Sequence, residues 1–301
     1  MGLLLLISLI AAAQSLCAAI DNDSDRLRCY DNENGRIQRT EPSVLADWRE
    51  REEPSLHEWF SITPHQPNYI LSVSYDANSD FSAYGDGGRL FSDVVAKFQI
   101  NLKTAVARDL WRDSSLWFAY TQQSWWQLYA DSDASAPFRE TNHQPEVIWE
   151  VPVDFELFGV NARTVPITFT HQSNGRSSPL SRSWNRVTAR LLMDRGRWVL
   201  SAKTWLRVDP SDNDDNPNIE DFMGRIQLAA AYKGDHSTLF ISLKNNLDTD
   251  NRSGVEIDWA FPISTHLKGY VQLYSGYDES LIDMETYTSR IGVDLALTDW
   301  L

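Results

Sequence analysis

The ten residues VVAKFQINLK, at positions 94–103, alternate between apolar and polar side chains with a single interruption at Val95. In an extended strand, side chains two residues apart point to the same face. One face of this segment is therefore apolar, and it carries Val94, Ala96, Phe98, Ile100 and Leu102. The other face is polar, and it carries Lys97, Gln99, Asn101 and Lys103. Such a segment is typical of a β-strand that separates an apolar environment from a polar one.

The same alternation recurs along the chain and predicts twelve strands. They are expected to begin near residues 69, 93, 115, 146, 164, 184, 197, 223, 236, 253, 265 and 287. Short connections at 194–196, 233–235 and 262–265 alternate with long polar ones near 76–92, 126–145, 172–184, 208–222 and 275–286. An even strand number with short turns at one end and long loops at the other is the pattern of an outer-membrane barrel. We therefore predict an all-β protein, a twelve-stranded antiparallel transmembrane β-barrel over residues 69–301.

A soluble β-sandwich also shows alternation, but its core does not tolerate charge. The polar faces of these strands carry repeated Arg and Lys together with Asp and Glu, which suits a polar barrel interior better. The chain also ends in a strand followed by Asp299-Trp300-Leu301, with an aromatic residue near its terminus. The formal net charge of −15 argues against a nucleic-acid partner.

The N-terminal part reads differently from the barrel. Residues 1–19 hold the apolar run Leu3 to Ile7 and end in Ala18-Ala19, which predicts a secretory signal peptide. A lipoprotein reading through Cys17 is the poorer alternative, because Leu16 stands where a small residue is expected. Cleavage near Ala18 or Ala19 would remove Cys17 and leave Cys29 as a free thiol. Residues 20–68 are polar and irregular and are interpreted as a periplasmic extension.

The segment HQSNGRSSPLSRSWNR, at 171–186, carries the candidate chemistry. His171 and Ser173 lie two residues apart at the end of one strand and therefore share a face. Asn185 begins the next strand, and a hairpin would bring it beside them. These are the residue types of a nucleophile, a general base and a base-orienting group. The plain alternative is a set of polar residues that cap a hairpin.

Strand parity places these three residues on the outer face. Ile167 and Phe169 share their face with His171 and Ser173. A polar site facing lipid is least costly near the headgroup level, and its position beside a long loop fits that depth. A lipid ester is therefore the expected substrate, with acyl transfer to water as the reaction. The backbone N–H of Gly175 is the candidate oxyanion donor, and a metal-bound water could supply a second.

The motif HQSNGRS followed by SRSWNR resembles outer membrane phospholipase A, and further blocks support it. These are YTQQSWWQL at 120–128, PFRETN at 137–142, DDNP at 214–217 and YSGYDESLID at 274–283. The resemblance covers about residue 69 to the end. It implies a calcium-dependent esterase of the bacterial outer membrane that hydrolyses phospholipids and lysophospholipids, with Ser173 as nucleophile, His171 as base and Asn185 as orienting amide.

The resemblance also implies that dimerisation completes the site. Calcium would bind the backbone carbonyl of Arg176 and the hydroxyl of Ser181, and the partner would supply a carbonyl matching Ser135. Gln122 lies on the lipid-facing side of its strand, and the matching Gln of the family hydrogen-bonds across the dimer. The two carbonyl oxygens and the hydroxyl proposed for calcium are hard oxygen ligands of the kind that this ion prefers. The expected active form is therefore a calcium-bound homodimer.

One departure from the family stands at Ser178, where the best-known members carry Asp. A secondary calcium site of the isolated monomer is therefore expected to be weak or absent, although Asp215 could offer one ligand. The competing functions are a passive porin or binding barrel and an inactive family member kept as a structural protein. The motifs Gly-x-Ser-x-Gly, His-Glu-x-x-His and Gly-x-Gly-x-x-Gly are missing, which argues against soluble hydrolases, zinc proteases and dinucleotide enzymes.

Overall fold

A computed structural model describes most of the 301-residue chain. The described residues are 43–58, 61–135, 137–208, 214 and 216–300, together with Cys17, Ile20, Arg26, Cys29 and Tyr30. The chain divides into two units, Met1–Glu41 and Pro42–Leu301. No helix of the described part is long and apolar enough to cross a membrane.

The second unit is a closed antiparallel barrel in which each strand pairs with the next and β1 pairs with β12. Its strands are β1 Asn68–Asp76, β2 Val94–Ala107, β3 Ser115–Trp126, β4 Phe138–Leu157, β5 Val160–Ser173, β6 Ser183–Arg195, β7 Trp198–Val208, β8 Ile226–Lys233, β9 Thr238–Asn245, β10 Ser253–Ser264, β11 Leu267–Gly276 and β12 Thr288–Thr298. Helix α1 spans Val44–His57 and helix α2 spans Ile219–Met223. Short 3-10 segments lie at Ser82–Leu90, Trp111–Asp113 and Ser132–Ala134. The predicted twelve-stranded antiparallel barrel is confirmed.

The two faces of the barrel wall differ as the alternation predicts. On β2, the apolar side chain of Ile100 is 54% exposed, whereas Lys97 on the opposite face is 1% exposed. The same contrast holds on β5 between Phe169, at 47%, and Thr170, at 0%. An apolar outer face around a polar interior is the arrangement of a membrane barrel.

Ion pairs fill the interior at the end where the long loops lie. Lys97 Nζ is 3.0 Å from Glu279, and Arg290 donates to Glu279 and to Asp76 at 2.7 and 3.0 Å. Burial alone would raise the pKa of Glu279, but the charges of Arg290 and Lys97 outweigh it and lower that pKa to about 2. Glu279 belongs to the connection between β11 and β12, so these pairs hold that loop against the barrel wall.

The predicted start of β4 near residue 146 is wrong, because the strand begins at Phe138. The segment 138–145 is polar and contains Pro145, and it therefore resembles a loop. In a barrel, however, the inward side chains of a strand are polar: Asn142 and Arg139 are both 3% exposed and face inward. The connection before β4 is therefore shorter than the predicted 126–145. The strand β5 likewise begins at Val160 instead of near 164.

The prediction that residues 20–68 are irregular is wrong for the described helix α1. Ser43 caps this helix, since its side chain accepts a hydrogen bond from Ala46 N at 3.0 Å. The helix docks on the barrel through Glu52, which lies 2.7 Å from Lys103 of β2, and through the backbone N–H of Leu45, which donates to Asp194 at 3.3 Å. The segment WREREE, at 48–53, has the composition of a solvated charged surface. Its Glu52, however, pairs with Lys103, which is buried inside the barrel. The periplasmic location of residues 20–68 stays a prediction.

In the uncleaved chain Cys29 forms a disulfide with Cys17 in the first unit. A free Cys29 is predicted only after cleavage near Ala18 or Ala19 removes Cys17, so it stays a prediction together with that cleavage. The signal peptide itself, residues 1–19, lies outside the described residues apart from Cys17 and stays a prediction.

Candidate active site

The strands β5 and β6 bring the predicted base and its orienting group together. His171 and Asn185 are directly opposite each other in the antiparallel register. His171 Nδ1 lies 2.8 Å from Asn185 Oδ1. Because an amide oxygen only accepts, this hydrogen bond holds the proton on Nδ1 and leaves Nε2 as the basic nitrogen. The arrangement orients a general base in one tautomer.

Ser173 lies two residues further along β5, on the same outward face as His171. Both side chains are partly exposed, and they continue the apolar outer row formed by Ile167 and Phe169. Among the described residues no hydrogen bond joins Ser173 to His171. Catalytic hydrogen bonds are often long before substrate binds, so this geometry is compatible with a nucleophile beside its base.

The inner face of the same strands holds the site in place. Gln172, which is 7% exposed, accepts hydrogen bonds from Trp184 Nε1 at 3.0 Å and from Arg186 Nη1 at 2.8 Å. Thr170 donates to Glu146 at 3.0 Å. These buried contacts fix the register of β5 and β6 from inside the barrel, so the outward residues sit on a rigid support.

Asn174 organises the loop 174–182 that follows the nucleophile. Its side-chain oxygen accepts from the backbone N–H groups of Arg176 at 3.3 Å and Arg182 at 3.0 Å. Its amide nitrogen donates to the carbonyl of Leu180 at 2.8 Å and to Glu140 at 3.4 Å. The side chain is only 5% exposed. One buried amide therefore closes the loop, a role that our sequence reasoning missed although Asn beside Gly is a turn signal.

Gly175 lies in this loop with a φ of +64°, a left-handed conformation that favours glycine. Its backbone N–H has no acceptor within the described part of the chain. A methyl group at Gly175 would meet the His143 ring at 3.8 Å and no closer atom, so the space above it is open. The N–H of Gly175 therefore has no acceptor among the described residues, and its role as an oxyanion donor stays a prediction.

Arg176 uses its side chain to tie the loop to β4. Its guanidinium donates to the carbonyls of Phe138 at 2.9 Å and Arg139 at 2.6 Å, and it lies 3.7 Å from Glu140. Its own carbonyl accepts no hydrogen bond from the described residues, which leaves that oxygen available for a ligand. Ser181 belongs to the same loop and is partly buried.

Ser135 lies in a different loop, between β3 and β4. It is exposed and has a left-handed backbone, with φ +54° and ψ +31°. Among the described residues no group of three or more His, Cys, Asp or Glu side chains could hold a metal. The oxygens of Arg176, Ser181 and Ser135 are neutral hard donors, which fit Ca²⁺ and not a soft metal.

Gln122 faces outward on β3, as parity predicts, but its amide has partners within its own chain. Tyr120 donates to Gln122 Oε1 at 3.2 Å, and Gln122 Nε2 donates to Ser124 at 3.2 Å. These two contacts occupy one N–H of the amide and one acceptor site of its oxygen, so they neither require nor exclude a contact with a second chain. A role for Gln122 in a dimer stays a prediction.

His143 of β4 is a site residue that the sequence reasoning missed. It is directly opposite Ser173 in the register of β4 and β5. Its Nδ1 lies 2.7 Å from the hydroxyl of Tyr120. Directly opposite residues have Cβ atoms about 4.5–5.5 Å apart, so a second imidazole flanks Ser173. The signal was hidden because β4 was predicted to begin only after this residue.

The remaining prediction concerns the one departure from the family, at Ser178, and the secondary calcium site. Ser178 lies exposed in the loop 174–182. Asp215 lies outside the described residues, so the secondary calcium site stays a prediction.

A closed antiparallel barrel with an apolar outer wall, carrying a His–Asn pair beside a serine on that wall, defines an outer-membrane barrel with a candidate hydrolytic site. A family model described as Phospholipase A1 matches residues 45–297. The chain belongs to this family.

Its relatives cover most of its length. Phospholipase A1 of Klebsiella pneumoniae is 37% identical over 245 residues, which are 80% of this chain and 83% of that protein. Outer membrane phospholipase A from Escherichia coli, solved as an active-site mutant with asparagine replaced by alanine, has a TM-score of 0.77 at 35% identity and covers 82% of this chain and 96% of that one. The Salmonella typhi outer membrane phospholipase dimer with bound calcium has a TM-score of 0.76 at 34% identity over the same shares.

Proposed function

We propose that this protein hydrolyses acyl ester bonds of phospholipids and lysophospholipids in the outer leaflet of the bacterial outer membrane. The observation that carries the proposal is the 2.8 Å contact between His171 Nδ1 and Asn185 Oδ1, on the outer face beside Ser173. The names of the relatives supply the substrate class. An outward site has its substrate in the surrounding lipid, which no lumenal site could reach without removing the lipid from the membrane.

The reaction follows from the residues present. His171 Nε2 takes the proton of Ser173 as Oγ attacks the ester carbonyl carbon. The Gly175 N–H stabilises the oxyanion of the tetrahedral intermediate. When this intermediate collapses, the ester C–O bond breaks and His171 returns its proton to the leaving lysophospholipid alkoxide. A water molecule then attacks the acyl-serine carbonyl carbon, and His171 Nε2 takes a proton from it. The bond between the acyl carbon and Ser173 Oγ breaks, His171 returns the proton to Oγ, and a fatty acid leaves.

Asn185 keeps the proton of His171 on Nδ1 throughout. An amide offers no negative charge to stabilise imidazolium, so a moderate base is expected. The asparagine replaced in the Escherichia coli active-site mutant supports this role for an amide.

Calcium fits the site through neutral oxygens, and we propose that it acts in a homodimer. Arg176 would contribute its carbonyl and Ser181 its hydroxyl, and the partner would contribute the carbonyl of Ser135. When bound, Ca²⁺ supplies positive charge and a polarised water near the developing oxyanion. The calcium-bound dimer of the Salmonella typhi relative supports this assignment.

The direct test is fatty-acid release from mixed phospholipid–detergent micelles by the purified full-length protein in calcium. Release of fatty acid and lysophospholipid from phospholipid is expected, and release of fatty acid from lysophospholipid supplied alone. A folded barrel that releases no fatty acid under these conditions would contradict the proposal.

Asn174 provides a prediction about positioning. Asn174→Ala removes the four side-chain contacts that close the loop carrying Gly175 and Arg176. A small misplacement of catalytic groups can cost about 100-fold in rate, so kcat is expected to fall by about 10- to 100-fold. KM should change less, and the thermal unfolding of the barrel should remain close to that of the unsubstituted protein. Fatty-acid release measures kcat and KM, and circular dichroism measures the thermal unfolding.

A matched control lies in the loop between β9 and β10. Asn246 closes that loop in the same way, accepting from Arg252 N at 3.0 Å and donating to Asp250 O at 2.8 Å. Asn246→Ala should leave kcat unchanged. Equal losses in the two variants would mean that Asn174 acts only on stability.

A further inference from the structure

Two basic residues face each other on the inner wall of the barrel. Arg190 of β6 and Lys203 of β7 are direct partners in the antiparallel register, and both point inward. Like charges directly opposite each other on neighbouring strands are destabilising. Lys203 also lies 5.8 Å from the ring of Trp205, which does not neutralise its charge.

Four other interior cations have carboxylate partners. Lys97 pairs with Glu279 at 3.0 Å, Arg139 with Asp283 at 2.6 Å, Lys103 with Glu52 at 2.7 Å and Lys244 with Asp278 at 3.0 Å. Within the described part of the chain, neither Arg190 nor Lys203 has a carboxylate within 4 Å. A buried charge without a counter-ion is costly.

The charged groups around the pair do not compensate it. The charges that act on Lys203 are Arg190, Arg186, Glu146 and Lys244. Arg186 donates to the amide oxygens of Gln172 and Gln144, and not to an acid. Lys244 is already paired with Asp278. Only Glu146 remains for three cations.

Glu146 itself is engaged elsewhere. It accepts from Thr170 at 3.0 Å and lies 3.4 Å from His65 Nε2. Glu256 and Asp258 of β10 line the lumen together with Arg190 and Lys203. Neither carboxylate lies within 4 Å of those two cations, and the charge of Lys97 acts on both carboxylates. An excess of positive charge therefore lies at one place on the β6–β7 wall.

Arg190 and Lys203 line a cavity of about 410 Å³ that helix α1 covers at the short-turn end. This is within the size of small-molecule sites, about 300–1,000 Å³. The remainder of the cavity wall is largely apolar and includes Leu45, Leu192, Val199, Ala231, Phe240 and Trp300. Its other charged groups include the ion pairs Lys103–Glu52 and Lys268–Asp299, at 2.7 and 2.6 Å, and Glu146, which lies 3.4 Å from His65. Arg51 and Glu150 also line it. The apolar part of the wall therefore adjoins Arg190 and Lys203, which have no carboxylate within 4 Å among the described residues.

We propose that this cavity binds a fatty acid, with its carboxylate between Arg190 and Lys203 and its acyl chain along the apolar wall. The planar guanidinium of Arg190 matches a carboxylate in two hydrogen bonds. The apolar wall gains from chain burial, at about 25 cal/mol per Å², which a small inorganic anion could not provide. The source of the ligand rests on the proposed function, since the reaction at Ser173 releases fatty acid.

The test is binding of dodecanoate labelled with ¹³C at its carboxyl, followed by NMR with the full-length protein in a non-ionic detergent. One equivalent is expected to give a carboxyl resonance distinct from that of micellar dodecanoate. In the double variant Arg190→Met, Lys203→Met this resonance should disappear, with affinity at least tenfold lower. Because the variant removes two uncompensated charges, its thermal unfolding temperature should not fall.

A matched variant and two competitors check that the resonance reports a fatty acid in this cavity. Arg89→Met changes an exposed arginine, 3.1 Å from Asp86 outside the barrel, and should retain the bound resonance. Unlabelled decanoate, which has both a carboxylate and an acyl chain, should displace the labelled dodecanoate. If dodecanol or inorganic phosphate displaces it equally well, the proposal is overturned, because only one end of the ligand would then matter. Persistence of the resonance in the double variant would also overturn it.

The measurement needs no turnover and can be repeated in the Ser173→Ala variant. If the unsubstituted protein hydrolyses phospholipid but gives no bound dodecanoate resonance, only the cavity site is rejected. Binding without any hydrolysis by the unsubstituted protein would instead contradict the proposed function.

Discussion

The Ser173→Ala variant is expected to release fatty acid from phospholipid micelles at least about 10³-fold more slowly than the unsubstituted protein. The substitution removes the only atom that forms the acyl-enzyme bond. It leaves the His171–Asn185 hydrogen bond and the inner contacts of β5 unchanged, so the barrel should keep the circular dichroism spectrum of the unsubstituted protein. The assay follows free fatty acid with time in calcium.

Ser183→Ala is the matched control, because Ser183 is the direct partner of Ser173 in the register of β5 and β6. It removes a hydroxyl of the same depth and from the same pair of strands, but not the one beside His171. Its activity should stay within about twofold of the unsubstituted protein, as expected for a surface substitution that removes no named interaction. Retention of most activity in Ser173→Ala would exclude Ser173 as the nucleophile.

The sequence was sufficient to predict the barrel because the alternation is a local property. Each strand such as β2 must present one face to lipid and one to the interior, and therefore its successive residues alternate between apolar and polar. The outward position of His171 and Ser173 followed from the same parity. Their pairing with Asn185 needed only a hairpin, which the short separation along the chain made the simplest connection.

What the sequence could not predict depends on long-range partners. The start of β4 was obscured because its inward residues, such as Arg139 and Asn142, look like loop residues until the interior is known to be polar. Helix α1 was obscured because the buried partner of Glu52 is Lys103, 51 positions away. His143 was not predicted as a neighbour of Ser173 because it lies in the part of β4 that was predicted to be a loop, and only the register of β4 and β5 brings the two residues together.

The role of Asn174 was obscured for a related reason. Its four contacts close a loop whose ends are set by β5 and β6, so they exist only after those strands have paired. A single Asn before Gly indicates a turn but does not say which backbone groups it will bind. The sequence therefore indicated which residues form the candidate Ser–His–Asn site, but not which residues hold the loop beside it.

Removal of calcium is the second large effect expected. Loss of one oxyanion donor typically costs about 10²–10³-fold in kcat, and chelation should also remove the ligand that the two subunits share. We therefore expect excess EDTA to lower fatty-acid release by at least that factor and to shift the protein from dimer toward monomer in sedimentation measurements. Re-addition of Ca²⁺ should restore both properties, because neither the barrel nor the His171–Asn185 pair depends on the metal.

Two serines of one loop distinguish a specific calcium ligand from a general salt effect. Ser181→Ala removes the proposed hydroxyl ligand and should raise the calcium concentration needed for half-maximal activity by at least about tenfold, in line with the loss of one ligand bond of more than about 1.4 kcal/mol. Ser177→Ala removes an exposed hydroxyl from the same loop and should leave that concentration unchanged. Equal calcium dependence in the two variants would exclude Ser181 as a ligand, and undiminished activity in EDTA would exclude the metal. If the departure at Ser178 removes the secondary site, calcium should bind to the dimer and not measurably to the monomer, so that activity and dimerisation follow a single calcium dependence.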